Sequence, residues 1–296
     1  MFKAILSLLL ASTLHAAPMD KAHFAEKTTW EREPILSVQP LPQLIGEDSE
    51  FEVSAESVIA IHLDTGKILY EKNSDQQRSI ASITKLMTAL IIAEEETPHS
   101  IVEVSNNAAN IEGSSIFLNA GEQITVKDLF YGMMIASGND AAVALAEYNA
   151  GSVDQFVRKM NQKAERLGLK NTHYSNPMGF DNSLNYSSAR DVAMVSMYAI
   201  QNEFLLEPTN LVAYETESAS GITHEYISTN KLLDQNIGGL QVEGLKTGTT
   251  PEAGQCLVTI ATNEDDEQIM TVILSSTNRF ADTENLLNWI NDNYTW

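Results

Sequence analysis

The chain has 296 residues, 43% of them hydrophobic, with 40 acidic residues against 18 lysines and arginines and a formal net charge of −22. That length and apolar content suffice for a large core, in one domain or in two lobes sharing a cleft, and exclude a largely disordered chain. The acidity excludes non-specific nucleic-acid binding and a polybasic membrane contact, which both need clustered lysine and arginine; a lone cysteine, Cys256, excludes an internal disulfide and a multi-cysteine metal site.

Met1-Phe2-Lys3, an apolar run from Ala4 to Leu14 and the small residues Ala16 and Ala17 have the form of a secretory signal peptide over residues 1–17. The run is shorter than the roughly 20 residues a membrane span needs. The expectation is an exported protein, periplasmic or extracellular, with no stable membrane anchor after signal cleavage. Residues 18–52, with Pro34, Pro40 and Pro42 and little periodicity, read as a poorly ordered leader, and 53–296 as the domain. Val58 to Leu63 reads as a strand, Asp64-Thr65-Gly66 as a turn and Lys67 to Glu71 as the returning strand. His62 reads as structural, since no second histidine stands at metal spacing.

The next stretch, Ile80-Ala81-Ser82-Ile83-Thr84-Lys85-Leu86-Met87, sets a serine and a lysine three residues apart at the start of an apolar segment that runs to Ile92. In a helix these two positions share a face, which brings the Lys85 ammonium to the Ser82 hydroxyl. A helix apolar nearly all round is buried, and burial disfavours a charged lysine, so Lys85 can serve as a base. The N-terminal backbone N–H groups beside Ser82 suit a developing oxyanion. On its own this spacing is more often an ordinary helix start with a solvated lysine.

Further helices are expected over Val126 to Ala136, Ala141 to Tyr148, Gly151 to Leu169 and Val192 to Ile200, with the polar quartet Ser137-Gly138-Asn139-Asp140 between the first two. The last third turns β-rich, at Leu240 to Leu245, Cys256 to Thr262 and Ile269 to Ser275, before a terminal helix over Ala281 to Asn293. Strands near both ends of the chain suggest a sheet built from the two ends, with a helical lobe inserted at roughly residues 95–200. Cys256 reads as a small buried hydrophobe. Lys246-Thr247-Gly248-Thr249 follows a strand, and its glycine permits close approach of an extended ligand while the lysine can meet a carboxylate.

Ser-x-x-Lys, Ser-x-Asn and Lys-Thr-Gly, in that order, are the marks of penicillin-binding proteins and β-lactamases. With Asn176-Pro177-Met178-Gly179 and Ala253-Gly254 added, residues 53 to 291 resemble the serine D-alanyl-D-alanine carboxypeptidases among the low-molecular-mass penicillin-binding proteins. The resemblance implies an α/β (α+β) penicillin-recognising fold, a mostly antiparallel sheet flanked by helices with a helical lobe beside it, and no metal or organic cofactor. It implies peptidoglycan stem peptides as substrates and β-lactam antibiotics as covalent inhibitors. The implied roles are Ser82 as nucleophile, Lys85 as general base and Ser137 as proton relay to the leaving amine. Asn139 would hold Lys85 and bond the substrate peptide, and the backbone N–H groups of Ser82 and Thr249 would form the oxyanion hole. Lys246 would supply positive potential near Ser137, and Gly248 would let the substrate approach the backbone. Thr247 and Thr249 would offer hydroxyls to the substrate's terminal carboxylate, and Arg279 would organise that carboxylate, otherwise reading as a surface ion pair; Lys231 stands where some relatives have an arginine.

The chain ends at Trp296 and so resembles the shorter, single-domain members, some of which cut cross-links as D,D-endopeptidases. A class A β-lactamase would need a carboxylate after the second motif, for which Glu165 is the nearest candidate, but it falls inside an amphipathic helix. A non-catalytic peptidoglycan-binding module would be expected to lack Ser82 or Lys85, and both are present.

Overall fold

The computed structural model describes residues 41–45 and 51–296; the expected signal peptide and most of the expected leader lie outside them. In chain order the elements are β1 (Gln43–Leu44), β2 (Ser57–His62), β3 (Ile68–Lys72), a 3-10 turn (Ala81–Thr84), α1 (Lys85–Glu95), β4 (Ile101–Glu103), α2 (Asn106–Ala109) and β5 (Gln123–Thr125). Then come α3 (Val126–Ile135), α4 (Asn139–Ala150), α5 (Val153–Arg166), α6 (Ala189–Ala199), α7 (Glu203–Thr209), β6 (Ala213–Glu217), β7 (Thr223–Ile227) and β8 (Asn236–Ile237). The chain closes with β9 (Leu240–Thr250), β10 (Gly254–Thr262), β11 (Gln268–Ser276), α8 (Arg279–Asn293) and β12 (Tyr294–Thr295).

Six strands form one antiparallel sheet in the order β3-β2-β11-β10-β9-β8, so the two ends of the domain meet at its centre, where β2 pairs with β11. Because both faces are covered, β2 is buried at every position instead of alternating. Ile59 and Ile61 enter the core shared with the helices, while Val58 and Ala60 enter the core beneath α8. Each face thus takes every second residue, as the pleat requires.

The helical core is built around α1, whose residues from Lys85 to Ile92 are all buried. An all-round apolar helix has no face to give to water, and α3, α4, α5, α6 and α7 pack about it. Thr125, Ser152 and Ser188 start α3, α5 and α6 by accepting a backbone N–H at their side-chain oxygens. The hairpin of β6 and β7, which periodicity alone does not reveal, is pinned to the lobe by buried His224: its Nε2 meets Glu122 Oε1 at 2.6 Å and its Nδ1 meets the Ile116 carbonyl at 3.2 Å. His62 is likewise engaged at both ring nitrogens, by Thr65 Oγ1 at 2.8 Å and Glu267 Oε2 at 2.5 Å, and joins two turns at one end of the sheet. Part of the stretch expected to be a loose leader is in fact paired: Gln43 and Leu44 lie against Thr295 and Tyr294.

Buried Asp282, in the first turn of α8, closes the domain. Its carboxylate accepts from Ser54 N at 2.8 Å, Ser54 Oγ at 2.9 Å, Ala55 N at 2.9 Å and Ser276 Oγ at 2.6 Å, tying the irregular segment that leads into β2 to the end of β11. Asp282→Ala strands these donors, so urea denaturation should show a loss of about 3 kcal/mol, against about 1 kcal/mol for Asp282→Asn, which keeps one acceptor.

Candidate active site

Ser82 lies on the 3-10 turn and Lys85 is the first residue of α1, where one continuous helix was expected. The difference favours contact, since residues i and i+3 eclipse in a 3-10 turn. Ala81, just before the serine, has φ 48°, a left-handed conformation costly for alanine, and the peptide that follows is packed tightly. A Cβ on Gly179 would fall 1.9 Å from Ala81 O, so only glycine fits there.

Lys85 Nζ lies 2.8 Å from Ser82 Oγ, 2.7 Å from Asn139 Oδ1 and 2.7 Å from the Met178 carbonyl oxygen. The last two are pure acceptors. A neutral amine has two hydrogens for them and one lone pair left, which faces the serine hydroxyl. Burial pushes Lys85 well below the ordinary lysine value, the nearby Lys246 ammonium pushes the same way, and Asp140 pulls weakly against both. Geometry aims the lysine at the serine, and burial favours its neutral form.

Both carbonyl oxygens around Lys85 are themselves held. Asn139, the first residue of α4, donates from Nδ2 to the Glu112 carbonyl at 2.9 Å and from its backbone N to the Ser114 carbonyl at 2.7 Å, which leaves Oδ1 facing the lysine. Met178 presents its carbonyl because Asn176 Oδ1 gathers the N–H groups of Met178, Gly179 and Phe180 at 3.3, 2.6 and 3.1 Å. Asp140, quoted in the motif without a role, holds the opposite wall: its carboxylate accepts from Ser115 Oγ at 2.6 Å, Ile116 N at 3.0 Å and Leu118 N at 3.2 Å.

A second serine–lysine pair stands beside the first. Ser137, at φ 61°, receives a hydrogen bond from Lys246 Nζ at 2.9 Å, and both side chains are buried. Burial first, and Arg279 second, push Lys246 down to about 7. Gly248 brings β9 against the nucleophile: a Cβ there would lie 3.0 Å from Ser82 N. Arg279 donates to Gly248 O at 2.8 Å and Thr249 Oγ1 at 2.5 Å, so it is no isolated surface ion pair. Arg279 also lies over the Phe280 ring at 4.8 Å, with Lys231 above that ring at 6.0 Å. Thr247 differs from the open hydroxyl expected of it: it is buried and shares a 2.6 Å hydrogen bond with Thr229.

The resulting cleft, of about 300 Å³, has Ser82, Asn139 and Thr249 on its floor, Gly113 and Ser114 on one wall and Met178 to Asp181 on the other. Glu165 is exposed on α5 and does not line it. Missed in the sequence were Thr229 and the Met178 carbonyl, because neither a backbone oxygen nor a threonine 17 residues before Lys246 carries a local pattern.

The class to which this fold and cleft belong is that of the serine DD-peptidases. The Streptomyces K15 DD-transpeptidase structure matches with a TM-score of 0.76 at 31% identity, over 82% of this chain and 98% of that one. The D-alanyl-D-alanine carboxypeptidase DacD of Francisella tularensis matches with a TM-score of 0.76 at 28% identity, over 84% of this chain and 72% of that one. Residues 45–278 match the family described as D-alanyl-D-alanine carboxypeptidase, peptidase S11, and the chain belongs to that family. The Bacillus subtilis D-alanyl-D-alanine carboxypeptidase DacF is 41% identical over 77% of this chain, and the Escherichia coli carboxypeptidase DacA 37% identical over 80%. The chain spans 59% and 61% of the lengths of those two relatives.

The coupling between the two lysines can be measured directly. Lys246→Gln removes a positive charge whose presence lowers Lys85, so the Lys85 pKa should rise and the neutral fraction fall at any given pH. An NMR titration of the Lys85 ε-carbon should show the midpoint moving to higher pH; an unmoved midpoint contradicts the coupling.

Proposed function

We propose that this protein is a serine D-Ala-D-Ala carboxypeptidase that removes the terminal D-Ala of peptidoglycan stem peptides through an acyl-enzyme on Ser82. The observation that carries the reading is Lys85 Nζ at 2.8 Å from Ser82 Oγ with its other two contacts taken by carbonyl oxygens. Ser82 Oγ attacks the carbonyl of the penultimate D-Ala as its proton passes to Lys85. The oxyanion is held by the N–H groups of Ser82 and Thr249, which Gly248 allows to converge. The C–N bond then breaks, and the leaving amine takes a proton from Lys85 by way of Ser137. Water completes the cycle by hydrolysing the ester, again with Lys85 as base.

Lys246, Thr249 and Arg279 hold the substrate's terminal carboxylate at the inner end of the cleft, while Asn139 bonds its peptide group through the remaining Nδ2 hydrogen. Thr247 acts with Thr229 as a buried hydroxyl pair behind them. A β-lactam, having a strained amide in place of the scissile bond, acylates Ser82 in the same way. The signal peptide expected over residues 1–17 would deliver the enzyme outside the cytoplasm, where its substrate lies, and among the described residues no helix is long and apolar enough to cross a membrane.

A second reading is favoured by one neighbour. The Streptomyces K15 protein, matched over 98% of its chain, is titled a DD-transpeptidase, a transfer of the same acyl group to an amine instead of water. D,D-endopeptidase cleavage forms the same acyl-enzyme from a cross-link, with the side-chain amine as leaving group and water as acceptor.

Three experiments test these readings. Incubation of the purified chain with pentapeptide monomers and with cross-linked dimers should release free D-Ala from the monomers and leave the dimers intact; dimers falling to monomers would instead mean an endopeptidase. Ser82→Ala should abolish both turnover and penicillin labelling. Gly248→Ala pushes β9 away from Ser82 N, and kcat/KM should fall about 100- to 1000-fold, the usual cost of one oxyanion donor, with a melting temperature close to that of the parent protein.

A further inference from the structure

The central sheet has two ends, and the catalytic cleft uses one of them. β10 runs from Gly254, paired with Thr250 on the cleft lining, to Thr262, paired with Gln268. Eight steps of about 3.3 Å separate its two ends by roughly 25 Å. At the far end the β2–β3 turn lies against the β10–β11 turn, and Leu63 N donates to Gln268 O across them at 2.8 Å. Between these turns three side chains converge: His62 Nε2 lies 2.5 Å from Glu267 Oε2 and 4.0 Å from Asp64 Oδ2, and the donor atoms of all three fit within 4.8 Å of one another. His62 reads as structural in the sequence because Glu267, its nearest partner, stands 205 positions away.

Charge and support both fit a cation there. Among the described residues neither carboxylate has a lysine or arginine partner. Lys67, the nearest in sequence, turns its ammonium to the Pro42 carbonyl and the Tyr294 ring, while Glu264, Asp265 and Asp266 add negative charge in the same turn as Glu267. His62 is held as a metal-binding histidine is held, by its other nitrogen: Nδ1 lies 2.8 Å from Thr65 Oγ1. With an ion on Nε2 the ring proton sits on Nδ1 and is donated to that oxygen. Trp296 stacks on the imidazole, centroids 5.3 Å apart, and shields it on that side. Asn263 fixes the backbone of Glu267, accepting from its N–H at 2.9 Å and donating to its carbonyl at 3.1 Å. Side-chain exposure rises from 1% at His62 through 13% at Glu267 to 43% at Asp64, so an ion enters past Asp64.

We infer that His62, Asp64 and Glu267 bind one zinc ion, which clasps the two turns at the end of the sheet remote from Ser82. A tetrahedral zinc with nitrogen and oxygen donors at about 2.0–2.1 Å sets them about 3.3 Å apart. Glu267 then backs away from Nε2 by about 0.8 Å and Asp64 closes on it by about 0.7 Å, movements that rotation of a carboxylate side chain supplies. Water takes the fourth position on the open side. One imidazole with two carboxylates suits zinc and other late first-row cations, whereas calcium and magnesium take oxygen donors alone. The ion fastens the fold and carries no step of the reaction, so the inference stands independently of the proposed activity.

The test titrates the full chain, first stripped with a chelator, with zinc chloride. Calorimetry should show one ion bound per chain, and zinc at about 100 times its Kd should raise the melting temperature by about 5 °C. In spectra of protein labelled with 15N-histidine, zinc should move the Nε2 resonance of His62 and leave its Nδ1 protonated. Asp64→Asn and Glu267→Gln should each weaken zinc binding at least about tenfold, and the double variant should lose both the binding and the thermal shift. Asp64 is exposed, so its variant folds and decides the matter even where a change at Glu267 disturbs the turn. Calcium in about tenfold excess should not displace the zinc. A plain hydrogen bond between His62 and Glu267 predicts instead a melting temperature that zinc leaves unmoved. No zinc uptake by the parent protein, uptake undiminished in the double variant, or displacement by calcium overturns the inference.

Discussion

A lysine with no solvent exposure, surrounded by three oxygens, is the constraint on which the site depends. A buried ammonium costs several kcal/mol, whereas a buried amine needs only that its two hydrogens and one lone pair find partners. Those partners come from three separate parts of the chain: the 3-10 turn, the start of α4 and the loop after Tyr174. None can shift by much more than 0.5 Å without leaving a hydrogen bond unmade. Much of the local structure serves that placement, from the Asn176 cradle behind Met178 to the Glu112 and Ser114 carbonyls that orient Asn139.

The elements that were legible in the sequence are those whose side chains announce their surroundings. The run from Leu86 to Ile92 is apolar all round because it is enclosed by helices, and β2 is apolar without alternation because both faces of its sheet are covered. The three motifs stand in chain order at sites the fold then brings together. Less legible were features that belong to the backbone or to tertiary contact. The boundary between the 3-10 turn and α1 leaves the i, i+3 spacing unaltered and so cannot be seen in it. The hairpin alternates exposed with half-buried residues in β6 and exposed with buried ones in β7, without an apolar run, and its anchor, His224 on Glu122, spans 102 positions. Met178 acts through its carbonyl, which any side chain would supply.

The two serine–lysine pairs differ in purpose because their surroundings differ. Lys85 faces two carbonyls that absorb its hydrogens and free its lone pair. Lys246 faces Ser137 Oγ and the Thr247 carbonyl, and has Arg279 as a cationic neighbour. In the proposed mechanism Lys246 contributes positive potential, held near its titration point, while Lys85 carries the proton. The Lys246 charge lowers the proton affinity of Lys85 and so favours release of the proton that Lys85 takes up. In the proposed mechanism Ser137, which accepts from Lys246, relays the proton to the departing amine.

The same arrangement bears on deacylation. Glu165 is exposed on α5, and Asp181, the carboxylate on the cleft wall, is bound to Thr250 and the Glu252 backbone. In the proposed mechanism Lys85 acts twice, which requires that it return to the neutral form between the two steps. Its burial ensures that return, since the proton it takes from Ser82 is held poorly and goes to the leaving amine. When the leaving amine stays tethered to the acyl group, as in an opened β-lactam, it occupies the path by which water would approach. On this mechanism, one buried base accounts both for turnover of an open peptide and for slow release of a cyclic analogue.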